Sequence, residues 1–175
     1  KKKLSGTFVY GVNSNAVFEI QNLTFKQGRN FQTDDFLSSS GGVVLSHVVA
    51  EKLFQGTNPV GKIVMIGSQP VRVSGVLDKP TGLASLIQTS EVYLPSATWR
   101  NIFGKQKIDQ LVVEVHRVDQ LKAAGDQAVA ILNRNHGKED GYEVQNLEEI
   151  MQGIEQIAGI MTIVIGSIGG ISLFV

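Results

Sequence analysis

The chain has 175 residues, 42% of them hydrophobic, with 16 basic and 16 acidic side chains and 3 histidines. That length can bury a core in one or two small domains, and the neutral balance argues against nucleic acid as a partner. The absence of cysteine excludes disulfides, thiol catalysis and cysteine-based zinc sites, and the one basic run, Lys1 to Lys3, reads as a solvated chain start.

Thr7 to Val12 and Ala16 to Ile20 predict two short extended segments separated by turn-forming Asn13, Ser14 and Asn15, and Leu23 to Phe25 leads into a turn at Gln27 to Asn30. Ser38 to Gly42 reads as a flexible loop. Val43 to Ser46 then predicts a buried strand, with Ser46 placed to cap a short helix from His47 to Phe54. Asn58, Pro59 and Gly61 take the first, second and fourth positions of a type I turn, and the stretches beginning at Lys62 and Pro70 read as a hairpin across Gly67, Ser68 and Gln69. Thr81 to Ser90 is less regular and reads as a mobile loop. Glu91 to Pro95 predicts a strand that Pro95 stops or confines to a sheet edge. Asp109 to His116 predicts a strand, and Asp119 caps a helix whose Leu121, Ala124, Ala128, Ile131 and Leu132 share one face before Gly137 ends it. Tyr142 to Gln145 returns as a strand, so this stretch predicts a parallel βαβ crossover or half of a ferredoxin-like layer.

The last segment carries the strongest functional signal. After Glu155 no charge remains, and Ile157 to Val175 is apolar apart from Thr162, Ser167 and Ser172. A helix of that length is roughly 28 Å long at ~1.5 Å per residue, just short of a hydrocarbon core of about 30 Å. The span is therefore expected to continue past Val175. Asn146 as N-cap with Glu149 three residues on forms a capping box, and Glu148 adds negative charge at the positive end of the helix dipole. Ile150, Ile154, Ile157 and Met161 recur at helical spacing, so an amphipathic start passes into turns that are apolar all round. Gly166 and Gly170 form a GxxxG pair suited to close packing of membrane helices. The last basic residue before the tail is Lys138 and the flank is acidic, which places the preceding domain outside the cytoplasm.

Catalytic and cofactor motifs do not assemble. Gly56 to Lys62 has the glycine and lysine spacing of a phosphate-binding loop. Ile63 stands where that loop needs Ser or Thr for magnesium, and it opens a strand where the loop needs a helix. His47, His116 and His136 are far apart and lack metal-ligand spacing. The acidic pairs Asp34 with Asp35, Glu139 with Asp140 and Glu148 with Glu149 sit beside turns or helix starts, as caps and solvated faces do. Neither a nucleophile elbow nor a cofactor motif is present, so no enzyme, cofactor or metal site is expected.

Several stretches together resemble the extracytoplasmic core domain of MacB-type ABC transporter permeases, part of the wider FtsX-like permease family. They run from Gly11 to Phe31, Val43 to Leu77, Val92 to Gly104 and Leu132 to Asn146, and include the tail. The resemblance implies an α+β fold in which a porter-like βαβ layer holds an inserted small β-rich, Sabre-like subdomain and is followed by the start of a transmembrane helix. By that resemblance residues 4–77 are the β-rich part and residues 90–146 the second half of the porter-like part. Residues 147–175 lead into the second membrane helix, and the first porter-like half is expected upstream of Lys1. It also implies a non-catalytic domain in the cell membrane's outward space. This domain would couple ATP hydrolysis, by a cytoplasmic ATP-binding subunit or domain, to efflux of peptides, toxins or antibiotics. A second permease copy and an extracytoplasmic adaptor are the implied partners. The alternative is an FtsX-like interaction or signalling domain that regulates a cell-envelope partner.

Overall fold

The structure, a computed structural model, describes residues 3–81, 85, 89–104, 108–137, 141–145, 153, 156–157, 159–165 and 167–168. It forms two compact units, residues 1–113 and 114–175.

The first unit is built on a mixed sheet. Its strands are β1 (Phe8–Val12), β2 (Phe25–Gly28), β3 (Val43–Leu45), β4 (Ile63–Ile66), β5 (Gln69–Leu77) and β6 (Glu91–Pro95). The order is β1-β6-β3-β5-β2, with β4 also paired to β5. β1 runs parallel to β6 and β3 parallel to β5, and the remaining pairs are antiparallel. Every residue of β3 is buried and apolar, as a central strand covered on both faces requires. On one face Val43, Leu45, Val73, Val92 and Leu94 pack with Val49 and Leu53 of α3 (His47–Phe54) and Trp99 and Ile102 of α4 (Ser96–Phe103). On the other, Val44, Leu77 and Tyr93 meet Phe18 of α1 (Ala16–Ile20), Phe31, and Phe36 of α2 (Thr33–Leu37).

The strands at β1, β3 and β6, helix α3 and the β4–β5 hairpin form where the sequence predicts them. Other elements differ. Ala16–Ile20 is a helix rather than extended: Ser14 Oγ accepts from the Ala16 N–H, and the Gln21 N–H donates to Val17 O. Five residues are too few to separate a period of two from one helical turn, and burial of Phe18 decides the matter. The predicted turn at Gln27 to Asn30 begins later, because β2 runs through Gly28 and the Arg29 N–H bonds to Ser74 O. The turn after Asn58 is shifted by one residue. The Lys62 N–H donates to Pro59 O, which puts Gly61 at the third position with φ +81°, the left-handed value a type II turn needs there. Ser46 stands at the N-cap of α3, yet its Oγ accepts from the Glu91 N–H and so ties the helix start to β6. Pro95 ends β6, which is an interior strand. Helices α2 and α4 arise in stretches to which the sequence pattern assigns no element. Most of Thr81 to Ser90 lies outside the described residues.

The second unit contains α5 (Leu121–His136), which follows a 3-10 turn at Val118–Gln120. Asp119 does not cap it; its carboxylate pairs with Arg117 at 2.6 and 3.0 Å, and Gln120 is the N-cap. Gly137 ends the helix in the left-handed conformation, as predicted. The half-covered face is Leu121, Ala124, Gly125, Ala128, Val129, Leu132 and Asn133, whereas Ile131 is exposed. A Cβ on Gly125 would lie 3.0 Å from the Val144 side chain, so residues around 144 pack closely on α5.

Asp109 to His116 and Tyr142 to Gln145 are not strands among the described residues. Alternation supplies a face but not a ladder partner, and Ile108, Leu111 and Val113 stand exposed. The described tail residues 156–157, 159–165 and 167–168 are helical, and the Ser167 hydroxyl donates to Ile163 O at 2.7 Å. Among the described residues no helix is long and apolar enough to cross a membrane. Asn146, Glu149, Gly166 and Gly170 lie outside them.

Candidate functional surface

β1 is the edge of the first unit's sheet, and a cavity of about 580 Å³ opens along it. Its walls come from β1 and the start of α1, from Glu91 and Tyr93 of β6, from Trp99 and Arg100 of α4, and from residues 108–112. The Trp99 indole N–H donates to Val9 O at 2.9 Å, which pins α4 to the strand. Gly11 makes the approach possible, since a Cβ there would lie 2.8 Å from Trp99 Cβ.

Glu91 is among the residues that line this cavity. Its Oε1 accepts from the Thr89 hydroxyl at 2.7 Å and its Oε2 from the Tyr93 hydroxyl at 2.8 Å. Burial above all, then the hydrogen bond to Glu91, pushes the Tyr93 phenol far above its ordinary range. Burial and the Glu91 charge raise Tyr10 as well. Both hydroxyls thus stay protonated at neutral pH, and neither is poised as a base or nucleophile.

The residues weighed on sequence grounds are dispersed. His47 is on α3 in the first unit; His116 and His136 belong to the second. His136 Nδ1 lies 3.0 Å from Leu132 O, and its ring is 5.6 Å from Tyr142. Burial, reinforced by Lys79 and Lys26, lowers the pKa of His47. Among the described residues no group of three histidine or acidic side chains could hold a metal. Gly56 to Lys62 runs through a turn into β4. A second exposed feature is the β4–β5 hairpin, where Ile63 and Met65 point outward from β4. Sequence reasoning missed the Glu91 cluster. Glu91, Tyr93 and Tyr10 all lie in predicted strands, but their meeting depends on which strands pair.

Residues 1–131 match the family described as the MacB-like periplasmic core domain, and the chain belongs to that family. Its relatives are ABC transporter permeases. The chain is 41% identical over 95% of its length to the uncharacterized ABC transporter permease YknZ of Bacillus subtilis, of which it spans 42%. It is 29% identical over 93% of its length to the macrolide export ATP-binding/permease protein MacB of Acinetobacter baylyi, spanning 24% of that protein. Two solved structures share the fold. The extracellular domain of the noncanonic ABC-type transporter YknZ from Gram-positive bacteria superposes with a TM-score of 0.65 at 36% identity, covering 79% of this chain and 69% of that one. The periplasmic region of MacB from Actinobacillus actinomycetemcomitans gives 0.61 at 28% identity, covering 84% and 64%. The α+β class expected from sequence is the class of these domains.

Proposed function

We propose that the chain is the outward-facing domain of an ABC transporter permease, non-catalytic itself, which converts ATP-driven movement of membrane helices into export of substrates already outside the membrane. Family membership over residues 1–131, joined to an apolar helical tail, carries this reading. In it, residues 4–77 form the β-rich subdomain, residues 90–146 supply the second half of a porter-like part, and residues 147–175 lead into a membrane helix. Asn146 and Glu149 cap that helix, and Gly166 and Gly170 pack it against a neighbour. The names of several relatives, macrolide export ATP-binding/permease proteins and a probable syringafactin export ATP-binding/permease protein, support export as the activity and an ATP-binding domain or subunit as partner; peptides, toxins or antibiotics are the proposed cargo. A second permease copy and an extracytoplasmic adaptor complete the machine. A proline-free helix resists bending and can transmit displacement. Inserting two glycines after Glu155 in the intact transporter therefore should leave ATP hydrolysis near normal while abolishing efflux. Unimpaired efflux would refute the coupling role.

A further inference from the structure

We infer that the β1–β6 edge of the sheet binds an organic cation, a protonated amine, guanidinium or quaternary ammonium group, between Glu91 and the rings of Phe8 and Tyr10. This rests on strand register and side-chain chemistry, and it stands or falls separately from the transport reading. In the parallel β1–β6 ladder Phe8 is opposite Glu91 and Tyr10 is opposite Tyr93. Residues two apart on a strand share a face, so these four side chains form a two-by-two patch of three aromatic rings and one carboxylate. The rings are in register: Phe8 and Tyr10 stack at 6.4 Å between centroids, and Tyr10 and Tyr93 at 5.4 Å.

The patch opens outward. Phe8 is 57% exposed and Tyr10 37%, whereas Tyr93 is 3% exposed and serves as floor. Glu91, Tyr10 and Tyr93 all line the 580 Å³ cavity. That volume falls within the usual range for small-molecule sites, roughly 300–1,000 Å³. A carboxylate offers about four acceptor positions, and hydroxyls from Thr89 and Tyr93 take one on each oxygen. The remaining positions belong to a half-buried negative charge. The Arg29–Asp35, Arg117–Asp119 and Lys122–Asp126 ion pairs do not involve Glu91. Arg100 lines the same cavity but is exposed, where water and salt screen its charge. Lys52 donates to Ser90 Oγ at 3.1 Å. A cation at Glu91 would gain charge attraction from the carboxylate and cation–π attraction from the neighbouring rings, a combination neither group offers alone.

The test is a titration of choline chloride into the full chain in nonionic detergent, read by saturation-transfer NMR on the trimethylammonium signal. Saturable binding is expected, with the uncharged isostere 3,3-dimethylbutan-1-ol at least about tenfold weaker. Glu91→Gln keeps an acceptor for the hydroxyls and should weaken choline about tenfold. Tyr10→Leu replaces a partly exposed ring and should weaken it roughly threefold with the Trp99 fluorescence unchanged. A blocked lysine tripeptide in place of choline distinguishes a peptide side chain from a free small amine, as whichever binds tighter. Absence of saturable binding up to about 100 mM choline, equal binding of the neutral isostere, or full affinity in both variants would overturn the assignment.

Discussion

Truncation of Phe18 measures how α1 is held to the sheet. The side chain is 2% exposed, and its ring meets Phe25 and Tyr93 edge-on at 5.3 Å each and Phe31 at 6.0 Å. Phe18→Ala removes the buried ring and leaves a cavity among aromatic neighbours that cannot easily collapse, a change that costs about 3–5 kcal/mol. The two edge-on pairs account for roughly 1–3 kcal/mol of that sum. Phe18→Leu keeps most of the apolar burial but loses the ring pairs, so it should cost about 1–2 kcal/mol. Urea unfolding followed by fluorescence of Trp99, the only tryptophan, reports the first unit alone. Trp99 packs on the opposite face of the sheet from Phe18, so the substitution does not itself disturb the probe. A loss below about 1 kcal/mol for Phe18→Ala would refute the packing argument, and so would equal losses for the two variants.

Two glycines with similar backbones should respond differently to alanine. Gly28 has φ +77°, and an added Cβ would collide with the Ser74 carbonyl oxygen and lie 2.7 Å from Gly75 Cα. Gly56 has φ +82° with open space around it. The left-handed penalty of about 1–2 kcal/mol applies to both, so Gly56→Ala should lose roughly that and Gly28→Ala clearly more, as compared by urea midpoint. Acid stability should depend on two groups. Burial acts to raise the Asp35 carboxyl but is outweighed by bonds from Arg29, the Gln32 N–H and the Gly42 N–H, which hold it below the usual range. Its contribution is therefore present above the ordinary aspartate range and lost as pH falls through the depressed folded value, and Asp35→Asn should flatten the acid limb. His47 has a lowered folded pKa, so the unfolded chain takes its proton first. Stability should fall as pH drops below about 6.5, and His47→Gln should lessen that loss in thermal melts across the same pH window.

Much of the first unit was legible because its signals are local. Val43 to Leu45 is a short apolar run with no polar side, and the Gly67–Ser68 turn leaves a two-residue hairpin connection between Ile66 and Gln69. Such features depend on neighbours in sequence. The misread segments are those whose conformation depends on distant partners. Ala16–Ile20 coils because Phe18 finds Tyr93 and Phe31, and Asp109 to His116 stays outside the sheet because alternation alone provides no neighbouring strand. Asp119 looked like a cap, yet Arg117 two residues before it takes the carboxylate first.

The candidate sites divide in the same way. The stretches shared with a permease family identified the kind of protein without coordinates, since kinship is a property of the chain. The cluster at Phe8, Tyr10, Glu91 and Tyr93 could not be found so. Its members are separated by some eighty positions in sequence and meet only because β6 pairs in parallel with β1, in a register that puts Phe8 opposite Glu91. By itself the sequence determined which segments are apolar, where the chain turns and what family it belongs to. The tertiary structure alone decided which strands are neighbours, and with that which side chains face the cavity, because strand pairing is set by burial summed over the whole sheet rather than by any one segment.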